Sequence, residues 1–148
     1  MPSASATDTT GLGADLLSVV ARLNRLATQR TQLPLPWAQA RLLSTIEDRG
    51  EARISDLAEL DHCSQPTMTT QVRRLEDAGF VTRTVDPGDA RAVLIRITQS
   101  GVDVLAHARV DRAAVIDPLL EQLTPDERDS LGSAVGVLRR MLELAQNS

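Results

Sequence analysis

The apolar residues of this chain fall into runs with distinct spacings. The first is Leu12, Leu16, Val19, Val20, Leu23, Leu26 and Ala27, the pattern of one face of an amphipathic helix. The small, polar stretch 1–10 ahead of it is expected to fray. Leu33-Pro34-Leu35-Pro36 ends the helix, because two prolines cannot continue it. A second helix follows with Trp37, Ala40, Leu43 and Ile46 inward, stopping at Gly50. Arg53-Ile54 reads as a short extended piece, and Ser55 is expected to cap a short third helix holding Leu57, Ala58 and Leu60. Ser64 is placed to cap a fourth helix, with Pro66 tolerated in its first turn. That helix runs to Ala78, where Gly79 supplies the stop.

The period then changes from helical to alternating. Phe80–Val85 reads as a strand, Asp86-Pro87-Gly88-Asp89 as a turn, and Val93, Ile95 and Ile97 as the apolar face of a return strand. A two-stranded hairpin is therefore expected, with Arg91 and Asp89 side by side at its tip. Thr98 opens a long helix with Val102, Leu105, Ala106, Ala113, Ile116, Leu120 and Leu123 on one side. Thr124-Pro125-Asp126-Glu127 is a second strong start, with a cap, a proline at the first position and a glutamate placed for a capping box. The last helix carries Leu131, Val135, Leu138, Leu142 and Ala145.

The fold class is thus mainly α with a small β-hairpin. Three regions follow: an N-terminal helix in 1–32, a compact mixed middle in 33–98, and two long helices in 99–148. Helices one, five and six are apolar on one face and hold the two ends of the chain. A second copy is the simplest surface for them to bury against.

The fourth helix has two unlike faces. With Met68, Val72 and Leu75 inward, 3.6 residues per turn turn Pro66, Thr70, Arg73 and Asp77 outward, with Thr67, Thr69 and Arg74 on the shoulders. Short hydroxyls followed by two arginines can meet phosphate oxygens and base edges. A capped short helix, a tight turn and an outward polar helix make a helix-turn-helix.

Charge refines this picture. The 148 residues carry a net charge of −4, and all 16 basic residues are arginine, the side chain best suited to forked hydrogen bonds. The sums are −2 over 1–63, +1 over 64–98 and −3 over 99–148. Contact with a polyanion must therefore be local and shaped. One cysteine excludes an intrachain disulfide and points to a reducing compartment. With no secretory signal pattern and no apolar run of about 20 residues, a cytoplasmic protein without a membrane partner is expected.

SDLAELDHCSQPTMTTQVRRLEDAGFVTRTVDPGDARAVLIRIT resembles the core of the MarR (multiple antibiotic resistance regulator) family of bacterial transcription regulators. The family's wing pattern, Asp-x-Arg followed by an apolar strand and Leu/Ile-Thr, is matched by Asp89-Ala90-Arg91 through Ile97-Thr98. The likeness covers a winged helix-turn-helix over 33–98, and the flanking helices match the family's dimerisation region. It implies a homodimeric regulator of double-stranded DNA, a repressor relieved by a small ligand. Ser64, Gln65, Pro66, Thr67, Thr69, Thr70 and Arg73 would serve the major groove, and Arg74 the DNA backbone or a brace. Arg91 would enter the minor groove, oriented by Asp89. A narrow A·T-rich minor groove attracts an inserted arginine, and a carboxylate can fix a guanidinium through a bidentate pair. Leu12, Leu16, Leu120, Leu131, Leu138 and Leu142 would serve dimerisation. Leu33, Leu35 and Trp37 would line a cleft for a small aromatic or anionic effector. His62 departs from the family, which favours glycine or a small residue in that turn.

Other chemistries fit less well. His62, His107 and Cys63 have no metal-ligand spacing, and no phosphate loop or nucleophile elbow occurs, so no metal, cofactor or enzyme activity is expected. One Trp and one Phe cannot build a stacking platform for single strands. Two alternatives stay open: a winged-helix protein-interaction module without DNA binding, and an oxidant sensor using Cys63.

Overall fold

A computed structural model describes residues 9–147, so most of the stretch 1–10 expected to fray lies outside them. Among the described residues the order is α1 (Leu12–Arg30), α2 (Trp37–Arg49), β1 (Glu51–Arg53), α3 (Ile54–Leu60), α4 (Gln65–Asp77), β2 (Val81–Asp86), β3 (Asp89–Ile97), α5 (Gln99–Glu121) and α6 (Pro125–Gln146). The chain forms two compact units, one up to Arg112 and one from Ala113, divided within α5.

The first unit holds the core. Leu43 and Ile46 from α2, Leu57 from α3, Met68, Val72 and Leu75 from α4, Val81 from β2 and Ile95 from β3 are fully buried. Each belongs to an apolar set visible in the sequence. The α4 set leaves one whole side of that helix outside the core.

The sheet differs from the expected two-stranded hairpin. It has three antiparallel strands in the order β1-β3-β2. The extended piece expected at Arg53-Ile54 is instead Glu51–Arg53, Ile54 being already helical, and it pairs along β3, with Glu51 opposite Arg96, Ala52 opposite Ile95 and Arg53 opposite Leu94. Ser55 also does not cap α3. The helix begins at Ile54 with Arg53 as its N-cap residue and no side-chain cap bond. Arg53 is held extended by its strand pairing, so α3 starts directly off the sheet and Ser55 already lies inside it.

Two helix ends in this unit share one geometry. Gly79 has φ 81°; its N–H reaches Glu76 O at 2.9 Å and the Phe80 N–H reaches Leu75 O at 2.9 Å. That is a Schellman stop, and it uses the Phe80 N–H, so β2 begins at Val81 rather than at Phe80. After α3, His62 takes the same position with φ 51°. Its N–H meets Glu59 O at 3.2 Å and the Cys63 N–H meets Ala58 O at 3.0 Å. Histidine therefore makes the left-handed turn that glycine would make more easily.

Thr98 joins sheet to helix. Its N–H donates to Phe80 O (2.9 Å), and its hydroxyl donates to Gly79 O (2.6 Å) and accepts from the Gly101 N–H (3.1 Å). In the second unit, the Thr124 capping box is complete. The Glu127 N–H donates to Thr124 Oγ1 (3.2 Å) and the Thr124 N–H donates to Glu127 Oε2 (2.8 Å). Leu123, expected on the apolar side of α5, falls in the short link beyond that helix. α6 buries none of its residues.

Candidate nucleic-acid interface

The interface is built on α4. Ser64 caps it, its Oγ accepting from the Thr67 N–H at 3.3 Å, and Pro66 sits in the first turn, where its missing N–H leaves no bond unmade. Core packing of Met68, Val72 and Leu75 then fixes the helix rotation. Ser64, Gln65, Pro66, Thr67, Thr70, Arg73 and Arg74 are exposed together, with Thr69 half-buried on the shoulder. Pro66, Thr70 and Arg73, with Asp77, are the residues that the 3.6-residue period turned outward, Thr67, Thr69 and Arg74 are its shoulders, and Ser64 and Gln65 were expected only from the family resemblance.

Their chemistry differs from the expectation in one respect. The hydroxyls are engaged within the protein. Thr69 Oγ1 donates to Gln65 O (2.8 Å) and Thr70 Oγ1 to Pro66 O (3.1 Å). Ser64 and Thr67 share a hydroxyl bond at 2.9 Å. The protons of Thr69 and Thr70 are thus spent inside the helix, the Ser64–Thr67 pair keeps one hydroxyl proton, and Arg73 and Arg74 supply the charged donors.

The wing is β2, the Pro87-Gly88 turn and β3, with Asp86 facing Asp89 across a register irregularity. Arg91 is exposed near the start of β3. Asp89 lies beside it but does not hold its guanidinium. Asp89 Oδ1 accepts from the Arg91 main-chain N–H at 3.0 Å. The backbone donor two residues on is within reach of a short carboxylate and needs no ordering of a long side chain. Asp89 thus sets the backbone at Arg91 and leaves its side chain to extend.

Asp86, which the sequence reading treated only as a turn former, is the better-connected carboxylate. Its Oδ1 accepts from the Gly88 N–H (2.9 Å) and its Oδ2 from Arg53 Nη2 (2.5 Å). The Gly88 bond first, and the Arg53 guanidinium second, hold its carboxyl below the ordinary aspartate value of 3.8. Arg53 reaches it across the middle strand. In the middle of β2, Arg83 Nε donates to Glu76 Oε2 on α4 at 2.6 Å. β2 is therefore tied to the helix-turn-helix at two points along its length.

A second feature lies between α2 and the first turns of α5, a cavity of about 150 Å³ lined by Trp37, Arg41, Ser44, Leu105, Arg109 and Arg112. The Arg112 guanidinium lies 5.2 Å from the centre of the Trp37 ring and donates to Asn24 on α1. Its Nε is buried without a partner. Of the three residues expected to line an effector cleft, Trp37 lines this cavity; Leu35 is buried in the core and Leu33 packs against it. Cys63 is also half-buried against that core. Among the described residues no group of three or more His, Cys, Asp or Glu is placed to hold a metal ion, and no helix is long and apolar enough to cross a membrane.

Comparison with known proteins decides what this architecture is. The model of the MarR family matches residues 35–93. An uncharacterized HTH-type transcriptional regulator of Mycobacterium leprae is 32% identical over 133 residues, covering 89% of this chain and 93% of the relative. The chain belongs to the MarR family. It is a helix-turn-helix, DNA-binding transcriptional regulator, and neither the family nor these relatives are enzymes. A transcriptional regulator from Thermotoga maritima superposes with a TM-score of 0.74 at 23% identity, covering 94% of this chain and 99% of that one. An Escherichia coli MarR mutant crystallised with operator DNA gives a TM-score of 0.58 at 22% identity over 92% and 99% of the two chains.

Proposed function

We propose that this protein is a homodimeric repressor that grips a palindromic duplex, with one α4 in each of two major grooves and Arg91 of each wing in a flanking minor groove. The observation that carries the reading is the division of α4. Met68, Val72 and Leu75 are sealed in the core, while Ser64, Gln65, Pro66, Thr67, Thr70 and Arg73 lie together in solvent. The operator complex of the E. coli MarR mutant supports duplex DNA as the partner. Two-fold pairing is supported by Leu12, Leu131 and Leu142, which are exposed in the protomer, with Leu16, Leu120 and Leu138 half-covered beside them.

Relief of repression is assigned to a small planar anion. The Trp37 cavity offers an aromatic face and the guanidiniums of Arg41 and Arg112, the latter with a buried Nε lacking any partner, beside Arg109, which is paired with Glu47. An anion there would act only by binding one spacing of the DNA-reading elements more tightly than another.

Selection of bound DNA from a random pool, with sedimentation of the free protein, tests the reading. The expected result is a dimer and a two-fold symmetric site with half-sites about one turn, ~34–36 Å, apart. Binding should weaken steeply with added salt. A monomer, or no enriched sequence, would refute it.

A further inference from the structure

Between the root of the wing and the start of α4 lies an open cleft of about 420 Å³. Arg53 and Ser55 form one wall, Gln65 and Thr69 of α4 another, and Arg91 and Val93 of β3 the third. It holds two guanidiniums in different states. Arg53 is anchored through Nη2 to Asp86, yet its side chain stays 45% exposed and lines the cleft. Arg91 spends only its main-chain N–H on Asp89. The Thr69 hydroxyl proton is committed to Gln65 O, so the donors available here are the two guanidiniums, the Gln65 amide and the Ser55 hydroxyl. No carboxylate lines the cleft. Two cations and neutral donors around a space of this size are the surroundings a singly charged phosphodiester requires.

The position of the cleft identifies which phosphodiester. α4 forms one wall and Arg91 another. If α4 reads the major groove and Arg91 the minor, a backbone strand must cross from one to the other past this cleft. We propose that the cleft seats one backbone phosphate of the bound duplex, clamped by Arg53 and Arg91, and that Arg53 also sets the height of the wing through Asp86. The inference rests on the DNA-binding reading above and adds a residue that reading does not contain. Arg53 is bound to the wing by its side chain and to the start of α3 by its backbone. One residue therefore couples the distance between wing and helix to a phosphate contact.

Three measurements on the selected duplex test this. Phosphate-ethylation interference on the unmodified protein needs no variant. Ethylating a phosphate between the major-groove and minor-groove contacts should weaken binding about tenfold; no effect at any such phosphate overturns the proposal. Arg53→Gln should make the dependence of log affinity on log salt shallower by about one per clamped phosphate. It should also lose sensitivity to a neutral methylphosphonate at that site, whereas Asp86→Asn, which keeps Arg53 charged, should weaken binding with the slope unchanged. If Arg53→Gln and Asp86→Asn weaken binding equally with the wild-type slope, Arg53 only braces the wing and the clamp is refuted. Wild-type protein that binds the duplex steeply with salt while all three results fail sinks this inference alone. Protein that binds no duplex sinks the DNA reading itself.

Discussion

Gly101→Ala sets two opposing effects against each other at the joint between the wing and α5. Gly101 is buried in the first turn of α5. Helix propensity alone favours alanine by about 1 kcal/mol. The surroundings oppose it. A Cβ on Gly101 would stand 2.4 Å from the Phe80 carbonyl oxygen, 2.6 Å from Ile97 Cγ1 and 3.3 Å from Ile97 Cδ1. The Ile97 side chain can turn away, but the Phe80 carbonyl is backbone and accepts the Thr98 N–H at 2.9 Å. Relieving the overlap must lift α5 from the sheet, with an overpacking cost of about 1–3 kcal/mol. Weakening the Phe80–Thr98 bond adds about 1 kcal/mol. The cost exceeds the propensity gain, leaving a net loss of roughly 1–3 kcal/mol. For a chain of this size that is a fall in Tm of about 2 to 12 °C. Thermal melts followed by circular dichroism measure it, run at one protein concentration because self-association would shift both curves. An unchanged or raised Tm would show that the joint yields freely, and that Thr98 and Gly101 do not fix α5 against the wing root.

Other substitutions probe the remaining elements. Arg91→Ala should weaken binding to matched and scrambled operators alike, whereas Arg73→Ala should cost about 1–3 kcal/mol on the matched site and relax base preference; gel shifts showing equal losses for both variants on both duplexes would remove that division of labour. His62→Gly should raise the unfolding free energy by about 1 kcal/mol, since glycine takes the left-handed turn without the side-chain penalty, and urea melts would register it as a higher midpoint. Thr124→Ala removes the hydroxyl that accepts from the Glu127 N–H at the start of α6, leaving the main-chain N–H bond to Glu127, and should lower stability by about 1 kcal/mol, read by the same melts. Asp86 has a folded carboxyl held below 3.8, so it stabilises the wing above its unfolded value and loses that contribution as the pH falls through its lower folded one. A carbon-detected NMR titration should place its midpoint below that of an exposed aspartate, and Asp86→Asn should remove the acid-induced shift at the Gly88 amide.

What the sequence disclosed and what it withheld divide by range. Helix spans, the Ser64 and Thr124 caps, the Gly79 stop and the two faces of α4 follow from residues within four positions of one another, where period and capping chemistry act directly. The third strand is different. Glu51–Arg53 has only three residues, too few to show alternation, and its partners on β3 lie more than 40 residues on. Arg53–Asp86 was hidden for the same reason, at a separation of 33 residues. Asp89 and Arg91 illustrate a short-range ambiguity. A spacing of two residues suits either a carboxylate–guanidinium pair or a carboxylate–backbone bond, and composition does not choose between them. The structure selects the backbone bond, which orders fewer torsions. The internal bonds of Thr69 and Thr70 were not legible because a threonine in a helix can return its proton to the carbonyl four residues back, turning an expected donor into an acceptor.

α6 shows where pattern ends and assembly begins. Its apolar residues recur with helical spacing, yet Leu131, Val135, Met141 and Leu142 stay at least 41% exposed. A periodic stripe states that a helix has a face to cover, not what covers it. Single exposed leucines need no explanation, but a continuous row along a 22-residue helix does. If the cover is a second copy related by a two-fold axis, each stripe meets its own equivalent and the contact closes on itself. The same axis then relates the two α4 helices, whatever their separation. On that proposal the symmetry of the selected DNA site would follow from how α6 is covered, and disrupting that cover with Leu131→Asp should abolish the symmetric site while leaving the buried side of α4 intact.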